Sequence, residues 1–290
     1  MQILDGRLVA QKIRTELKRK INSFYEKNKI VPGLVVILVG DNPASQVYVR
    51  QKVKMAKQVG IHSKVLSLPK DVSFDKLKQT IQNLNTDPAI HALLVQLPLP
   101  SSLAWKEVIA HIDPRKDPDC LTAENQGLAW SGQARVLPCT PAGIMKLFEH
   151  YNITLKGKKA VVVGRSQIVG LPMAQLLLRA NATVTVCHSY TKNLSQITKE
   201  ADLVVAAAGR QGLLGKNDFK RDAIVVDVGI HRTVENNKKI LKGDVLFEEL
   251  KNGVSYATPV PGGVGPMTVT MLLENTFQLA CLATESRTHA

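Results

Sequence analysis

The chain has 290 residues, which is enough for two domains or one large one. Apolar residues make up 44% of it, and 38 basic against 24 acidic residues give a net charge of +14. Such an excess is found in nucleic-acid-binding proteins, but here the basic residues are spread along the chain and only 4% of residues are aromatic. Composition therefore excludes an evident RNA-binding pattern and favours a basic enzyme that handles anionic ligands.

The cysteines indicate a reducing compartment. Cys120, Cys139, Cys187 and Cys281 are scattered, without a C-x-x-C pair, which argues against a zinc site or a disulfide framework.

The N-terminus lacks the charged and apolar regions of a signal peptide, and no apolar run approaches the roughly 18 residues of a membrane span. We therefore expect a cytoplasmic protein with no metal and no membrane contact.

The first half of the chain predicts alternating helices and strands, which is typical of a parallel sheet. Helical spacing of apolar residues and buried β-branched runs place these elements. The predicted helices cover 8–25, 42–60 and 74–84, and the predicted strands cover 34–39, 65–68 and 92–95.

Three side chains in this half are candidates for chemistry. Tyr48 and Lys52 stand four apart on one helical face, so the ring either covers the stem of a solvated lysine or forms a stacking platform beside a proton-transfer group. Gln96 follows a buried strand, at the edge of a parallel sheet where ligands bind. Its side chain would either orient a lysine amine or a substrate amide, or simply be a solvated side chain of the loop.

A proline-containing loop then carries three carboxylates, Asp113, Asp117 and Asp119. Aspartates in turns are most often caps. A buried one would instead bind the adjacent N–H groups of a heterocycle through paired hydrogen bonds. Spacing does not choose among the three.

The second half is organised around 158–172, KKAVVVGRSQIVGLP. A strand over 160–163, a turn at Gly164 and a helix through 173–178, with Ser166 as its predicted cap, together indicate an anion site at a helix N-terminus. The middle glycine of the usual G-x-G-x-x-G fingerprint is absent, so the motif alone also fits an ordinary strand-to-helix turn.

The next predicted strand, 182–186, completes a β-α-β unit and bears on cofactor choice. NAD-specific enzymes usually carry a carboxylate near the end of this strand, to bind the ribose hydroxyls. Here the residues are CHSYT, 187–191, and Arg165 lies in the first turn. Ser189, Thr191 and Arg165 suit a 2′-phosphate and favour NADP, although hydroxyls in such loops also serve as caps.

Seven distinctive stretches are spread from one end of the chain to the other. They are GDNPASQVYVRQK (40–52), VQLPLP (95–100), KDPDCL (116–121), PCTPAG (138–143), VVGRSQIVGLP (162–172), VVDVGI (225–230) and TPVPGGVGPMT (258–268). The last stretch is long and specific. Together the seven resemble the bifunctional methylenetetrahydrofolate dehydrogenase/cyclohydrolase family.

The resemblance implies an α/β fold of two domains with a parallel sheet and a cleft between them. The folate-binding catalytic domain would cover 1–140 and be completed by the C-terminal helix, 264–290, in which 267–282 is apolar-periodic; a Rossmann-type NADP-binding domain would cover 141–263. The implied activity is NADP-dependent oxidation of 5,10-methylenetetrahydrofolate, followed by hydrolysis to 10-formyltetrahydrofolate, by a homodimer.

The resemblance also implies roles for individual residues. Tyr48 would stack on the folate, Lys52 would serve the cyclohydrolase step while held by Gln96, and Asp119 would bind the pterin ring. The loop of Pro261, Gly262 and Gly263 would close over the folate side. The residues implied to contact NADP are Gly164, Arg165, Ser166, Ser189 and Ile230.

Three positions depart from the family pattern. Cys120 stands where glycine is usual, which puts the loop after Asp119 in question because cysteine tolerates positive φ less well. His231 stands where asparagine is common, and Tyr190 where a basic residue is frequent. Two alternative functions stay open. One is a monofunctional NAD-linked dehydrogenase of the same fold, against which Lys52, Gln96 and the missing carboxylate argue. The other is a non-enzymatic binding protein for RNA, which only the charge suggests.

Overall fold

The computed structural model describes residues 1–235, 238–251 and 253–288. Its elements in chain order are β1 (Gln2–Ile3), α1 (Gly6–Asn28), β2 (Gly33–Val39), α2 (Pro43–Val59), β3 (His62–Leu68), α3 (Phe74–Thr86), β4 (Ala92–Val95), α4 (Trp105–Ile109), α5 (Ala123–Ser131), α6 (Cys139–His150), β5 (Lys159–Val163), α7 (Gly170–Arg179), β6 (Thr183–Cys187), α8 (Leu194–Lys199), β7 (Leu203–Ala206), β8 (Ala223–Asp227), β9 (His231–Glu235), β10 (Lys238–Lys242), β11 (Val254–Ala257) and α9 (Val264–Thr288).

The chain divides into two compact units. The three-stranded unit consists of residues 12–139 together with α9 from Val269 on, and the six-stranded unit consists of residues 1–11 and 140–268. The division predicted from the sequence differs at residues 1–11, 140 and 264–268, all of which it assigned to the first domain. Residues 1–11 belong to the six-stranded unit because β1 pairs in parallel with β11, with Ile3 opposite Ala257.

The three-stranded unit is built on a parallel sheet in the order β3-β2-β4. All seven residues of the central strand β2 are buried, as its run of apolar side chains requires. Strand β3 lies at the edge and alternates between exposed and half-buried residues. The carboxyl ends of β2 and β4 lead into the segments that carry Asn42 and Gln96.

The six-stranded unit has a parallel sheet in the order β1-β11-β8-β7-β5-β6. Successive residues of each strand point to opposite faces, and both faces are packed. In β5, Ala160 and Val162 join one core with helices α6 and α7, while Val161 and Val163 join another. Full burial of each of the three valines contributes about 1.5–3 kcal/mol. The α/β fold with parallel sheets predicted from the sequence is confirmed.

None of the helices in the described parts of the chain combines the length and the apolar character that crossing a membrane demands.

Candidate active site

Helix α2 places Tyr48 and Lys52 one turn apart on the same face. The helix begins where the sequence predicts it, at Pro43, and the Asn42 side chain accepts a hydrogen bond from the Ser45 N–H at 3.2 Å. Both Tyr48 and Lys52 are half-buried. A half-buried lysine is unusual enough to require a partner, because burying an ammonium group costs free energy.

Gln96 is that partner. The Lys52 Nζ donates to Gln96 Oε1 at 2.9 Å, and Gln96 Nε2 donates to the Leu97 carbonyl at 2.7 Å. The second bond fixes which way the amide points, so the oxygen faces the lysine. Gln96 itself is anchored by its N–H, which bonds the Ile37 carbonyl of the neighbouring strand at 2.9 Å. The sequence placed both residues as candidates for this contact.

Burial lowers the pKa of Lys52, and the negative charge of Asp119 acts in the opposite direction. Burial is the larger effect. A lysine with a lowered pKa is more often neutral near physiological pH and is then able to accept a proton. This is the property that the sequence-based hypothesis asks of Lys52.

The structure separates the three carboxylates that spacing leaves open. Asp113 caps a short turn and forms a two-pronged ion pair with Arg115, the closest contact being 2.6 Å. Asp117 is buried and accepts hydrogen bonds from the Thr122 N–H at 2.8 Å and from Asn125 Nδ2 at 3.1 Å. Burial raises the pKa of Asp117. Both residues therefore hold the loop together.

Asp119 is the third of these carboxylates and the one that affects the lysine. It is half-buried, and its charge acts on Lys52 and on the thiol of Cys139. Cys120, directly after it, adopts a φ of +57°, the left-handed conformation that the usual glycine would take freely. The loop geometry questioned from the sequence is therefore retained with a cysteine in place. The role of Asp119 in binding folate stays a prediction.

We expect Lys52→Met to flatten the pH dependence of stability. The folded protein holds the Lys52 proton more weakly than the unfolded chain does, so the free energy of unfolding rises with pH between the lowered folded-state pKa and 10.5. Denaturant titrations at several pH values across this window measure the slope. Lys54→Met, two residues away and exposed, is the matched control. An unchanged slope in Lys52→Met would contradict the burial effect.

In the six-stranded unit, the turn after β5 is built from close backbone approaches. Gly164 has a φ of +122°, and a Cβ there would collide with the Ala207 carbonyl oxygen. A Cβ at Gly170 would collide with the carbonyl oxygen of Gly164. Only glycine fits either position, and the turn brings the chain directly to the positive N-terminus of α7. This cradle fits the pyrophosphate of a dinucleotide.

Ser166 lies inside this turn. Its Oγ accepts hydrogen bonds from the N–H groups of Val169 and Gly170, each at 3.2 Å. The prediction that Ser166 is the helix cap is corrected in detail, because α7 begins at Gly170 and its N-cap position is Val169. Ser166 holds the turn that leads into the helix.

Arg165 and the segment after β6 lie together. The Arg165 guanidinium carbon stands 6.0 Å from the centre of the Tyr190 ring, and Arg165, Ser189 and Tyr190 are all exposed. Thr191 is a loop cap, since its Oγ1 accepts the His188 N–H at 2.9 Å. The segment contains no carboxylate. A cation and a hydroxyl beside the second strand suit a 2′-phosphate.

The loop at 261–263 packs on the start of α1. Gly262 has a φ of +115°, and a Cβ at Gly263 would stand 2.7 Å from the Pro259 carbonyl oxygen. A Cβ at Gly6 would collide with the Gly263 carbonyl oxygen. Pro261 is exposed while both glycines are buried. The loop therefore exposes the proline ring on a backbone that close glycine contacts hold in place.

Asp244 is a buried carboxylate that the sequence analysis did not single out, and it holds backbone segments near the predicted cofactor contacts. Asp244 accepts hydrogen bonds from the Ala208 and Gly209 N–H groups at 2.7 and 2.9 Å, and contacts His231 Nε2 at 2.7 Å. It thereby ties the loop after β7 to the segment after Ile230, which is 41% exposed. Asp244 has no local motif, so only the fold reveals it.

Asp227, at the end of β8, is a second buried carboxylate in this group. It accepts hydrogen bonds from the N–H groups of Gly229, Asp244 and Val245, each at 2.9 Å. Burial raises the pKa of Asp227 to about 6, and the Asp244 charge adds to the effect. The two carboxylates shape the backbone beside the predicted cofactor contacts.

A cavity of about 550 Å³ in the three-stranded unit is lined by Ile90, Arg115 and Leu282, among others. It opens at the amino end of β4, whereas Gln96 follows the carboxyl end, and Lys52, Gln96 and Asp119 are not among its lining residues. We therefore do not assign it to the candidate site. Among the described residues, no cluster of three or more histidine, cysteine or acidic side chains is arranged to hold a metal ion.

The six-stranded unit, with its glycine turn at the start of α7, has the architecture of a dinucleotide-binding α/β enzyme. The model of the tetrahydrofolate dehydrogenase/cyclohydrolase catalytic domain matches residues 4–119, and the model of the NAD(P)-binding domain of the same family matches residues 138–284. The chain belongs to the tetrahydrofolate dehydrogenase/cyclohydrolase family.

Similar proteins extend over nearly the whole chain. The bifunctional protein FolD of Streptococcus agalactiae is 52% identical over 279 residues, 96% of this chain and 97% of that one. The crystal structure of the bifunctional enzyme FolD from Campylobacter jejuni is 48% identical, with a TM-score of 0.93 over 97% of this chain and 99% of its own. The enzyme from Trypanosoma brucei, solved with NADP cofactor and inhibitor, is 38% identical, with a TM-score of 0.94 over 97% and 98%.

Proposed function

We propose that the protein is a bifunctional enzyme of one-carbon metabolism. It oxidises 5,10-methylenetetrahydrofolate with NADP and hydrolyses the resulting 5,10-methenyltetrahydrofolate to 10-formyltetrahydrofolate. The observation that carries the proposal is the Lys52–Gln96 pair at 2.9 Å, beside Asp119, in a chain of this family. Absorbance assays with methylenetetrahydrofolate and either NADP or NAD test it directly. Absence of both activities in the folded protein would refute it.

For the oxidation, the residues of the chain supply binding and alignment. NADP, when bound, accepts the hydride, and the Gly164 turn with Ser166, Arg165, Ser189 and Ile230 would hold it. Tyr48 and Asp119 would hold the folate, through ring stacking and paired hydrogen bonds. No protein acid or base is required for hydride transfer, so correct placement of the two reactants is the main contribution of the protein.

For the hydrolysis, Lys52 would move the proton. The methenyl product is a cation, and water attacks its bridging carbon. The bond from that carbon to N5 then breaks as the hydroxyl of the adduct loses its proton. Of the two protons of the water, one ends on N5 and the other is released, and the formyl group stays on N10. Lys52, with its lowered pKa and its amine fixed by Gln96, is suited to take the proton from the attacking water.

We expect NADP to outperform NAD in catalytic efficiency, and Arg165→Ala to erode that preference. The loss should appear mainly as a higher KM for NADP, because the 2′-phosphate is remote from hydride transfer. Initial rates with each cofactor at low salt, in wild type and variant, measure the preference. Tyr190 is uncharged, so this segment offers less positive charge to the 2′-phosphate than a basic residue at the same position would.

Arg221→Ala, which removes an exposed arginine elsewhere in the same unit, is the matched control for that experiment. If Arg165→Ala affects NADP and NAD equally, Arg165 serves the pyrophosphate or the turn itself. A wild-type preference for NAD would support the alternative, a monofunctional NAD-linked dehydrogenase, and would be joined by the absence of methenyltetrahydrofolate hydrolysis.

Two further parts of the proposal, a homodimer and a cytoplasmic location, rest on the family resemblance. The four cysteines are free, and three of them are buried, which suits a reducing compartment.

A further inference from the structure

Asn275 links two distant segments of the three-stranded unit. It lies on α9 and is only 4% exposed. One side-chain amide nitrogen, Nδ2, donates to the Pro118 carbonyl at 2.7 Å and to the Leu137 carbonyl at 2.8 Å. Both of its hydrogens are therefore used, each on a carbonyl from a different loop.

These two segments carry the groups that face Lys52. Pro118 directly precedes Asp119, and Leu137 lies two residues before Cys139. The Cys139 thiol also donates to the Pro118 carbonyl at 3.3 Å, and the Asn275 nitrogen lies 3.5 Å from Cys139 Sγ. One amide nitrogen thus contacts two backbone carbonyls, one in each segment, and the thiol of Cys139.

Asp119 is coupled to this arrangement through its side chain as well. Burial raises the pKa of the Cys139 thiol well above its usual value, and the charge of Asp119 and its hydrogen bond to the thiol add to the effect. The thiol therefore stays protonated and remains a donor to the Pro118 carbonyl, which Asn275 also holds.

The loop needs such support because of its backbone. Cys120 has a φ of +57° and is fully buried, a conformation that is rare for a residue with a side chain. Strained residues persist where the surrounding contacts over-determine them. The hydrogen bonds to Pro118, two residues earlier, are among the contacts that hold this loop in place.

We propose that Asn275 is a positioning residue for folate binding, because it fixes the Pro118–Asp119 backbone and the Cys139 thiol in the arrangement that presents the Asp119 carboxylate. The inference rests on the proposed function. Asn275 does not touch the reacting atoms, and the Lys52–Gln96 bond does not depend on it. Its removal should therefore weaken substrate binding while leaving the chemical step largely intact.

The test uses Asn275→Leu, which keeps the shape of the side chain and removes both donors. We expect the KM for 5,10-methylenetetrahydrofolate to rise about tenfold or more, with kcat changed far less and with the NADP Kd unchanged. Asn275→Ala provides a second variant, and circular dichroism with thermal unfolding verifies folding of each. Thr276→Val is the matched control, because it removes a buried hydroxyl on α9 that donates to the Leu272 carbonyl within the same helix.

A double-mutant cycle separates positioning from general destabilisation. If Asn275 acts through Asp119, then Asn275→Leu should add little to the rise in KM once Asp119→Ala is present. A full additional rise in that background, or an unchanged KM in both single variants of Asn275, would overturn the inference. A wild-type protein inactive on methylenetetrahydrofolate would instead refute the proposed function, so the two failures are distinguishable.

Discussion

Lys52→Met is expected to abolish hydrolysis of 5,10-methenyltetrahydrofolate while leaving measurable dehydrogenase activity. General acid–base catalysis contributes about 10²–10⁴-fold, and methionine fills similar space without a proton-transfer group. The hydride transfer needs no such group, so the variant should accumulate the methenyl cation. The physical basis is the amine held at 2.9 Å from Gln96, with its pKa lowered by burial.

The accumulation is followed by absorbance of the methenyl product during the dehydrogenase reaction. Lys54→Met, an exposed lysine on the same helix, serves as the control and should behave as wild type. Equal loss of the two activities in a folded variant that still binds folate would rule out a separate role for Lys52 in hydrolysis.

Asp119→Ala should weaken folate binding and reduce both activities, with NADP affinity nearly intact. A lost charge-assisted hydrogen bond costs about 1.5–3 kcal/mol, which corresponds to roughly 10- to 150-fold in affinity. Both steps use the same bound folate, so both should decline together, in contrast to Lys52→Met. NADP is expected to be unaffected because its predicted contacts belong to the six-stranded unit.

Calorimetric titration with the folate substrate and, separately, with NADP measures the two affinities. Asp113→Ala is the control, since Asp113 is already engaged by Arg115. Unchanged folate affinity in Asp119→Ala would move the assignment to Asp117 or Asp113.

Sequence patterns predicted best the elements that are buried along their whole length. The fully buried strand β4 was predicted with its observed bounds, Ala92–Val95, because four apolar residues in a row have one straightforward interpretation. The edge strand β3 begins three residues before its prediction. His62, Ser63 and Lys64 pair with β2 through their backbones while their polar side chains give no apolar signal.

Other parts of the fold lie beyond local patterns. The hairpin of β9 and β10 was not predicted, since its partly exposed and charged strands lack a clear alternation. β1 is only two residues long, and its pairing depends on a strand more than 250 residues later. α9, Val264–Thr288, begins where the C-terminal helix was predicted, at 264, although the apolar periodicity that indicates a helix covers only 267–282.

The residues of the candidate site likewise include some that local sequence patterns predict and some that only the folded structure reveals. Helical spacing joined Tyr48 to Lys52, and the end of a buried strand pointed to Gln96. The choice of Asp119 over Asp113 and Asp117 required the partners of each carboxylate. Asn275 had no sequence signal, because its acceptor at Pro118 lies 157 residues away. Residues that act through the backbone of a remote loop are visible only after folding.

The pairing of β1 with β11 and the return of α9 to the three-stranded unit constrain how the protein matures on the ribosome. Residues 12–139 emerge from the ribosome long before Val269. The unit that they form nevertheless includes the part of α9 that starts at Val269. The six-stranded sheet likewise waits for Ala257 before Ile3 has a partner. Contacts of such long sequence separation form slowly, and domains generally fold as units during synthesis. Neither unit can therefore be completed cotranslationally until nearly the whole chain has been synthesised, so incomplete intermediates persist through most of translation.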